Sequence, residues 1–499
     1  MDAIPSPLGL SHPEVGPAEA ARALQGSGPT IFRSAHPPAL ARRAVCLLAL
    51  CAADIGAVFA AQALAQLAVA GLGLPPVEAP AYLAAFSVFA FLAVGLYAEW
   101  GLGPVERLRL RAMGAFLFGL GATAALSAER HMFDVALAAQ VLLWGALVVP
   151  LGFYAGEAVR MVLIRLRCWG TPTALIGTGP ESCTLGRALL ARPEYGLVPV
   201  GFIEIARQAD PASDCTDLPL PLIGREQDVE RLSRDIDVVL IAGTETSSSR
   251  ELLRLPFRHV VLARAAMDGP SSCLRLRALC DGFGFDLPRG IFRRRNLFIK
   301  RCLDRSLAIP LLLVLAPLMG VVALAIRIVS PGPVFFRHGR VGMDGRPIEV
   351  LKFRTMHVDA EARLQEHLAR DPDARRQWET FFKLTDDPRI IPGIGRILRR
   401  FSLDELPQLI NVLRGEISLV GPRPFPAYHL QGFDEEFRRL RASVPPGLTG
   451  FWQISARSEG DLATQKAQDS FYIQNWSVWL DLYILLRTPL AVVAARGAC

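Results

Sequence analysis

Four apolar stretches near the amino terminus constrain the fold of this chain more than any other feature. They run roughly from Val45 to Leu72, Tyr82 to Tyr97, Ala112 to Ser127 and Val135 to Leu151. A helix needs about 20 apolar residues to cross a ~30 Å hydrocarbon layer; the second and third stretches are short, yet the four together predict a transmembrane bundle. A composition of 51% hydrophobic and 20% charged residues is untypical of a soluble enzyme and excludes a disordered chain.

Arginine placement predicts the orientation of this bundle. Basic residues precede the first stretch, separate the second from the third, and follow the fourth: Arg42, Arg43, Arg107, Arg109, Arg111, Arg160, Arg165 and Arg167. The remaining two loops contain no basic residues other than Arg130 and His131. By the positive-inside rule, both ends of the bundle are expected on the cytoplasmic side.

Two features flank and interrupt this pattern. Residues 1–38 are rich in Pro, Ala, Gly and Ser without a period, which predicts a flexible tail rather than a signal peptide. Asp54 lies inside the first stretch, where an ionisable group is either an ion or proton site or a structural group. Because the sequence places no basic partner within the predicted spans, we interpret Asp54 as structural and facing other helices.

Net charge and cysteine usage narrow the class of partner. The net charge is +7 with only four lysines, so nearly all the positive charge is arginine. A basic chain with membrane segments favours anionic lipids and phosphorylated substrates, and we expect no nucleic-acid partner. The nine cysteines form no CxxC pair, which predicts reduced thiols without a disulfide framework or a zinc site.

Residues 169–292 have the pattern of an α/β domain. Strand-like runs at 173–176, 198–203, 238–242 and 259–262 alternate with helical stretches, which predicts a parallel, doubly wound, Rossmann-like sheet. Gly177 and Gly179 follow the first strand and Glu204 ends the second, as in a dinucleotide-binding turn, but Ser182 replaces the third glycine. A spacer or dimerisation domain is therefore preferred to a working NAD site.

The apolar segment 305–329 is long enough to be a fifth span, but two observations argue against a simple crossing. Basic residues flank it on both sides, so the positive-inside rule places both ends in the cytoplasm. Pro317 lies at its midpoint, where it removes a helix hydrogen bond and kinks the axis. We predict a re-entrant helix broken at Pro317. The alternative is a straight, kinked span.

Residues 293–499 carry the densest set of chemistry-bearing side chains. Adjacent carboxylates at Asp404 and Glu405 lie among many arginines, which predicts an anionic substrate handled by a carboxylate nucleophile or a metal. The run from Ser402 to Glu405 also fits a capping box, in which Glu405 only ties down a helix end. Both readings place the pair at a helix amino terminus, which favours negative charge.

Six short motifs make the sequence recognisable. They are Ser330-Pro-Gly-Pro-Val-Phe-Phe, Lys352-Phe-Arg-Thr-Met, Asp387-Pro-Arg, Ser402-Leu-Asp-Glu-Leu-Pro-Gln-Leu, Ser418-Leu-Val-Gly-Pro-Arg-Pro and Pro446-Gly-Leu-Thr-Gly-Phe-Trp-Gln. Together they resemble the bacterial sugar transferase family, the polyprenyl-phosphate sugar-1-phosphate transferases. The four spans and the middle domain resemble its large polytopic members, and the stretch from Asp371 to Asp387 looks most like the undecaprenyl-phosphate galactose phosphotransferase branch. His338 departs from a frequent glutamine.

The resemblance implies a two-step transfer in the cytoplasmic face of a bacterial inner membrane. Asp404 would attack a UDP-sugar (UDP-galactose or UDP-glucose), release UMP, and hold a phosphosugar that undecaprenyl phosphate then accepts. Mg²⁺ would bind at Asp404, and Glu405 would orient groups or accept protons. Motif positions nominate four phosphate contacts: Lys352, Arg354, Arg399 and Arg423. For each arginine, and most for Arg400, the alternative is a solvated or headgroup-facing side chain.

Three further interpretations follow. Aromatic residues near the carboxyl terminus fit either a helix at the membrane interface or an ordinary core; they include Tyr472, Trp476 and Tyr483. The expected partners include membrane lipids and a second copy of the chain. The alternative functions are a non-catalytic scaffold or regulator of polysaccharide assembly and, less favoured, an NAD-dependent sugar-nucleotide enzyme, since residues 170–290 lack the lysine that such an enzyme requires.

Overall fold

The computed structural model describes most of the chain in two compact units. The described residues are 39–73, 75–76, 80–130, 135–204, 218–242, 255–263, 275–279, 282–286, 291, 294–371, 373, 375, 384, 387–455 and 462–493. Residues 39–263 of this set belong to the first unit and residues 275–493 to the second. The predicted tail, residues 1–38, lies outside the described residues, and the four-domain division stays a prediction.

The first unit begins with four helices. They are α1 (Ala39–Gly71), α2 (Tyr82–Ala93), α3 (Pro104–Arg130) and α4 (Val135–Arg165). Three of them, α1, α3 and α4, are long and apolar enough to cross a membrane. The second predicted stretch forms only the 12 residues of α2, which at ~1.5 Å per residue is shorter than the hydrocarbon layer. Phe91, Phe118 and Trp144 are buried in the core between these helices.

Asp54 has a basic partner, so the premise that it lacks one is wrong, although its carboxylate does face the other helices. The Arg111 guanidinium donates to one Asp54 carboxylate oxygen, and the Tyr97 hydroxyl donates to the other at 2.8 Å. Arg111 counted as a loop residue in the sequence, but α3 begins at Pro104, so it lies within the helix. A methyl group on Gly152 would lie 2.3 Å from the Arg111 Nη1 atom, which shows that this glycine makes room for the ion pair.

The same unit contains a parallel five-stranded sheet. Its strands are β1 (Thr171–Ile176), β2 (Leu197–Glu204), β3 (Leu222–Arg225), β4 (Val238–Ala242) and β5 (His259–Ala263). The order across the sheet is β3-β2-β1-β4-β5, and every neighbouring pair is parallel. Helix α5 (Pro180–Ala191) follows β1, and α6 (Val229–Leu232) lies between β3 and β4. The four predicted strands are confirmed. The predicted doubly wound α/β region is therefore present as a parallel sheet.

The turn after β1 shows what replaces the missing third glycine. Gly177 has φ +86°, a left-handed conformation that glycine adopts at little cost. Ser182 is buried, and its hydroxyl donates to the Ile176 carbonyl at 3.2 Å. Glu204, at the end of β2, is paired with Arg225 at 3.1 Å. Both polar groups of the predicted nucleotide turn are thus engaged within the protein.

The second unit combines helices with three two-stranded sheets. The helices are α7 (Arg294–Val329), α8 (Ala360–Arg370), α9 (Ile394–Arg400), α10 (Gln408–Arg414), α11 (Ala427–Leu430), α12 (Glu435–Ala442), α13 (Phe451–Ser455), α14 (Leu462–Gln474) and α15 (Val478–Val493). The antiparallel pairs are β6 (Arg275–Leu279) with β7 (Gly282–Asp286), and β8 (Phe335–Val341) with β9 (Pro347–Phe353). A parallel pair joins β10 (Ser418–Val420) to β11 (Gly447–Thr449).

Helix α7 is the fourth helix long and apolar enough to cross a membrane. It has 36 residues, so it is about 54 Å long at 1.5 Å per residue, and it contains Pro310 and Pro317. The helix continues past Pro317 to Val329, so the chain remains helical where a break was predicted. Most of its middle is exposed and apolar, as at Leu313, Val314 and Val321.

Both ends of α7 pack on the rest of the second unit. Near its amino end, the buried Lys300 Nζ lies 2.7 Å from the Asp481 Oδ2 of α15. One turn later, Asp304 accepts a hydrogen bond from the Ser418 hydroxyl of β10 at 2.7 Å. Near its carboxyl end, Val322 and Ile326 lie in a buried apolar cluster with side chains of β9, α9 and the residues that follow α9.

Buried aromatic residues settle the alternative left open for α14 and α15. Tyr472, Trp476 and Tyr483 expose no more than 5% of their surface, so they are core residues and not an interfacial belt. The Tyr472 hydroxyl lies 2.8 Å from Asp481 Oδ1, and the Trp476 indole nitrogen donates to Asp481 Oδ2 at 3.0 Å. The five cysteines in the described part of the chain are free thiols, as predicted: Cys46, Cys51, Cys168, Cys183 and Cys302.

Candidate active site

A strained turn presents the two adjacent carboxylates. Ser402 has φ +53°, a left-handed conformation that is uncommon for a residue with a side chain. It is followed by a short 3-10 helix, Leu403–Glu405, which leads through Pro407 into α10. The Ser402 side chain makes no capping hydrogen bond, so the predicted capping box is wrong. The turn instead leaves the Glu405 side chain available to cationic side chains.

Two cationic side chains, one from a strand and one from a loop, contact Glu405. Lys352, on β9, places its Nζ 2.6 Å from Glu405 Oε1 and 3.6 Å from Asp404 Oδ2. Arg423, just after β10, places its Nη2 2.8 Å from the same Glu405 oxygen. The structure therefore brings together four of the predicted site residues, with Glu405 paired to two cations and Asp404 lying beside Lys352.

The two carboxyls are both largely buried, but their pKa values are shifted in opposite directions. Burial acts to raise the pKa of Glu405, but the positive charges of Arg423 and Lys352 outweigh it and hold the pKa at about 2. Burial also raises the pKa of Asp404; Lys352 opposes this shift, and the neighbouring Glu405 carboxylate adds to it. Glu405 is thus a fixed anion, while Asp404 is the more basic carboxylate of the pair.

The remaining two predicted phosphate contacts lie in different surroundings. Arg399 Nε donates to the Thr355 hydroxyl at 3.0 Å, and its charge is close enough to lower the pKa of Asp404. Arg354 is buried and donates to the backbone carbonyls of Ser330 and Pro331, just after α7 ends. Arg354 therefore holds the turn that leaves α7, and the structure does not bring it to the carboxylate pair.

A small cleft opens beside Glu405, and several of its residues were not predicted. Its walls are formed by Arg340, Val350, Lys352, Glu405, Gln408, Arg423, Pro424, Gly447 and Leu448. Arg340 lies on β8, and its Nη2 is 3.0 Å from His338 Nδ1. The β8–β9 pairing was the signal that could have found it. Because directly paired residues share a face, His338 and Arg340 lie on the same face of the hairpin as Val350 and Lys352.

Close backbone contacts fix the loop that carries Arg423. A methyl group on Gly447 would lie 2.0 Å from the Gly421 nitrogen, and one on Gly421 would lie 2.5 Å from the Pro445 carbonyl oxygen. The Gly447 N–H also donates to the Pro422 carbonyl at 2.9 Å. The two motifs that begin at Ser418 and Pro446 are therefore parts of one site, and only glycine permits this approach.

A buried ion pair supports the same loop from behind. Arg441, on α12, donates to the Arg423 backbone carbonyl, and its guanidinium lies 4.2 Å from the ring centre of Phe425. Its charge is paired with the buried Asp469 of α14 at 3.2 Å. Burial, only partly offset by Arg441, raises the pKa of Asp469 to about 6. The pair positions Arg423 without touching the cleft.

The donor set around Asp404 is a pair of carboxylates among cationic side chains and not a closed metal site. The described residues contain no group of three His, Cys, Asp or Glu side chains that would hold a metal alone. Mg²⁺ is commonly bound by one or two carboxylates together with substrate phosphate oxygens. Asp404 fits that requirement, because Glu405 is already paired with two cations.

Comparison with known proteins identifies the family. A model of the bacterial sugar transferase family matches residues 295–495, which include the whole cleft. The chain is also 32% identical over 369 residues to the undecaprenyl-phosphate galactose phosphotransferase of Salmonella typhimurium, covering 72% of this chain and 75% of that protein. The chain belongs to the bacterial sugar transferase family. The resemblance noted in the sequence is confirmed, and the protein is an enzyme of the sugar phosphotransferase class.

Two further members of the bacterial sugar transferase family match over shorter ranges. The exopolysaccharide production protein ExoY of Sinorhizobium fredii is 44% identical over 225 residues, 44% of this chain and 97% of that protein. The UDP-glucose:undecaprenyl-phosphate glucose-1-phosphate transferase of Escherichia coli is 40% identical over 204 residues, 39% of this chain and 40% of that protein. The lengths of these matches correspond to the range of the family model.

The Arg441–Asp469 pair yields a stability prediction. Arg441→Met should lower the free energy of unfolding by about 3–5 kcal/mol at about pH 8, because it leaves Asp469 as an unpaired buried anion. Removing Arg441 raises the pKa of Asp469 further, so protonation relieves the unpaired charge and the loss should shrink as the pH falls. Denaturant unfolding of the purified protein, followed by tryptophan fluorescence, measures both effects.

Arg439→Met is the matched control on the same helix. Arg439 pairs with Glu435 on the exposed face of α12, and an exposed pair contributes only about 0–1 kcal/mol. Equal losses for the two variants, or a loss for Arg441→Met that does not change with pH, would contradict the buried pairing.

Proposed function

We propose that this enzyme transfers a sugar-1-phosphate from a UDP-sugar to undecaprenyl phosphate, releasing UMP, through a phosphosugar held on Asp404. The observation that carries the proposal is the unequal pairing of the two carboxylates. Glu405 is bound by two cations, whereas Asp404, the residue before it, is left as a largely buried, more basic carboxylate beside Lys352. The names of the Salmonella and Escherichia relatives support undecaprenyl phosphate as the acceptor.

In the first proposed step, an Asp404 oxygen attacks the phosphorus that carries the sugar. The bond to the oxygen between the two phosphorus atoms breaks, and UMP leaves with that oxygen. In the second step, an oxygen of undecaprenyl phosphate attacks the same phosphorus, and the bond to Asp404 breaks. Splitting one displacement into two is the advantage of a covalent intermediate. The product is undecaprenyl-diphospho-sugar, and Asp404 is regenerated.

The cationic side chains of the cleft would balance the negative charge of two diphosphate groups. Lys352 already contacts both carboxylates, and Arg340 and Arg423 face the same space. Arginine binds phosphate through two parallel N–H donors, which suits an in-line displacement between phosphate oxygens. Glu405 would keep Lys352 and Arg423 in place. Arg399 and Arg354 are also proposed to contact substrate phosphate, on the basis of their motif positions alone.

Mg²⁺ is the proposed cofactor, held by Asp404 together with substrate phosphate oxygens. The metal would supply a positive charge that neutralises the negative charge developing on the leaving UMP. The protein's own contribution is the position and basicity of Asp404, which burial raises and Lys352 limits. No further carboxylate is required of the chain for this mode of binding.

For the lipid acceptor we propose that α7 enters and leaves the same membrane leaflet, with Pro317 at the bend. The support is that both ends of α7 contact the same catalytic unit, through Lys300 at the start and Ile326 near the end. A proline inside a helix loses one hydrogen bond and permits a kink. The carboxylates would then lie at the cytoplasmic face of a bacterial inner membrane, where the acceptor phosphate is located.

The parallel sheet is proposed to be a Rossmann-like spacer or dimerisation domain. Its strand order, β3-β2-β1-β4-β5, is the order found in dinucleotide-binding folds. Ser182 and Glu204, the two polar groups of the predicted nucleotide turn, are engaged by Ile176 and Arg225, which disfavours a working NAD site. A homodimer through this sheet would give a mass of two chains by light scattering in detergent.

Asp404→Asn should abolish UMP release from UDP-sugars in the presence of Mg²⁺ and undecaprenyl phosphate. The amide cannot form the acyl phosphate on which both steps depend. A UMP-release screen across UDP-galactose, UDP-glucose and N-acetylated UDP-sugars measures the loss and identifies the sugar. Mass spectrometry of the wild type, quenched without acceptor, should find the phosphosugar on the peptide that contains Asp404.

Asp359→Asn provides the control, because Asp359 is an exposed aspartate that pairs only with Arg363 among the described residues. It should leave UMP release unchanged. Undiminished release by Asp404→Asn would refute the nucleophile, whereas a non-catalytic scaffold would release no UMP in the wild type either.

Lys352→Gln should move the acid limb of the pH–rate profile to higher pH. Lys352 lowers the pKa of Asp404, so its removal raises that pKa. Because the attack requires ionised Asp404, activity is lost as the pH falls through this pKa, and in the variant the loss begins at a higher pH. Rates of UMP release measured across the acidic range give the limb.

The exposed Arg337 of the same hairpin is the control position for Lys352. Arg337 pairs with Glu349 on the surface, so Arg337→Gln should leave the acid limb where it is. The acid limb of Lys352→Gln could instead stay in place while the rate drops equally at every pH. That result would assign Lys352 to substrate binding and would show that it does not set the pKa of Asp404.

Pro317→Leu should convert part of the population from a re-entrant to a crossing helix, because leucine restores the helix hydrogen bond and favours a straight axis. A cysteine placed after the helix, at Arg346, reports the side by its labelling in intact cells with an impermeant maleimide. The second proline of α7 supplies the comparison, and Pro310→Leu should not expose that cysteine to the outside. No labelling of intact cells in either variant, with labelling only after the cells are lysed, would remove Pro317 as the cause of the bend.

A further inference from the structure

A cavity with about 300 Å³ of internal space lies in the first unit, at the amino end of α1. Three segments form its wall: the first turns of α1, the connection between α2 and α3, and the junction between α4 and β1. The residues are Arg42, Arg43, Ala44, Cys46, Leu47, Leu50, Tyr97, Ala98, Glu99, Cys168, Trp169, Gly170 and Thr171. The cavity therefore lies where the helices meet the first strand of the sheet.

Most charged groups in this wall are already paired. Arg43 Nε lies 2.9 Å from Glu99 Oε2, and its Nη2 lies 2.7 Å from Asp237 Oδ2. The remainder of the wall is largely aliphatic or aromatic, with Leu50 and Trp169 at least nine-tenths buried. The wall is thus apolar apart from one paired cluster and one further charge.

That further charge is Arg42. The residue is 8% exposed, and no hydrogen bond or ion pair joins its side chain to another residue in the part of the chain that the structure describes. A guanidinium in the wall of a largely apolar cavity keeps only part of its water, and an anion would supply acceptors for its five N–H donors. The cavity into which Arg42 is built therefore favours an occupant with negatively charged oxygen atoms.

The position of the cavity along α1 indicates what kind of anion reaches it. Helix α1 has 33 residues, about 50 Å at 1.5 Å per residue, which exceeds a hydrocarbon layer of ~30 Å. Arg42 is in its first turns, which places the guanidinium near the headgroup level. Val45 and Leu48, which follow at once, are exposed apolar residues on the outer surface of the helix. A lipid beside α1 can therefore reach both the Arg42 guanidinium and the exposed apolar surface that follows it.

We propose that this cavity binds one anionic phospholipid, with the phosphate at Arg42 and part of an acyl chain along Leu47, Leu50 and Tyr97. Basic pockets beside membrane helices are suited to anionic headgroups, whereas inorganic phosphate would leave the apolar wall unused. The bound lipid would contact both α1 and the start of β1, and so would stabilise the junction between the helices and the sheet. This site is in a different unit from Asp404 and does not depend on the transfer reaction.

Native mass spectrometry of the full chain in detergent tests the site. With dioleoyl phosphatidylglycerol as the probe, we expect one lipid to be retained by the wild type and Arg42→Gln to bind it roughly fivefold more weakly, the effect of one basic residue near a lipid surface. Arg109→Gln is the matched control, since Arg109 is an exposed arginine of α3 paired with Glu106, and it should bind like the wild type.

Separate titrations with phosphatidylcholine, undecaprenyl phosphate and inorganic phosphate distinguish the sources of the anion. Equal retention of phosphatidylcholine, saturation by inorganic phosphate, or tighter binding of undecaprenyl phosphate would each overturn the assignment to an anionic phospholipid. Equal weakening in Arg42→Gln and Arg109→Gln would assign the effect to general surface charge and would also overturn it.

A second measurement, made first on the wild type, guards against misfolding of Arg42→Gln. Cys46 lines the cavity, and its thiol donates to the Cys168 carbonyl at 3.2 Å. Phosphatidylglycerol should slow the alkylation of Cys46 in the wild type, measured on the Cys46 peptide, and should leave the rate at the exposed Cys302 unchanged. Arg42→Lys, which keeps the charge, should retain the protection. No protection of Cys46 at saturating lipid would refute occupancy of the cavity.

Discussion

The double pairing of Glu405 is the interaction on which the candidate site depends. Two carboxylates adjacent in sequence and both largely buried would repel each other, and one would take up a proton unless charge were supplied. Lys352 from β9 and Arg423 from the loop after β10 supply it to Glu405. The second carboxylate, Asp404, is then free to remain a desolvated anion of raised basicity, which is the property required of a nucleophile at phosphorus.

This pairing makes the site a product of the whole second unit rather than of one motif. Arg423 is placed by the contact between Gly421 and Gly447, and its carbonyl is held by Arg441, whose charge Asp469 balances. These residues come from four different segments: the loop after β10, β11, α12 and α14. The packed backbone therefore holds Arg423, a charged group of the site, in place. The close approach of Gly421 and Gly447 leaves room for the side chains that line the cleft.

The sequence predicted the elements of the fold better than the direction of individual side chains. Strands β1, β2, β4 and β5 follow from apolar runs between turn residues, and Lys352 and Asp404 follow from short motifs. Arg354 was assigned to the site by its motif position, two residues after Lys352, yet it turns to the Ser330 and Pro331 carbonyls. That difference depends on where α7 ends, which no local pattern encodes.

Two other differences have the same origin in tertiary packing. The apolar run of α3 begins after Arg111, so the sequence pattern places this arginine in a loop and leaves Asp54 without a partner. Periodicity defines helix boundaries poorly, and α3 begins earlier than its apolar run. Tyr472 and Trp476 have a spacing that suits a core and a membrane interface equally well. Asp481 decides between them, since it accepts from Trp476 and pairs with Lys300, which a water-facing helix would not require.

The buried Lys300–Asp481 pair also bears on how a lipid substrate would meet Asp404. Breaking a buried pair leaves an uncompensated charge, so the amino end of α7 is fixed to α15 more firmly than apolar packing alone would achieve. The other end of α7 packs against Leu403, the residue before Asp404. The depth of α7 in a membrane therefore sets the depth of the carboxylate. In the proposed reaction, this coupling would hold the nucleophile at the level of the acceptor phosphate without a separate lipid-binding domain.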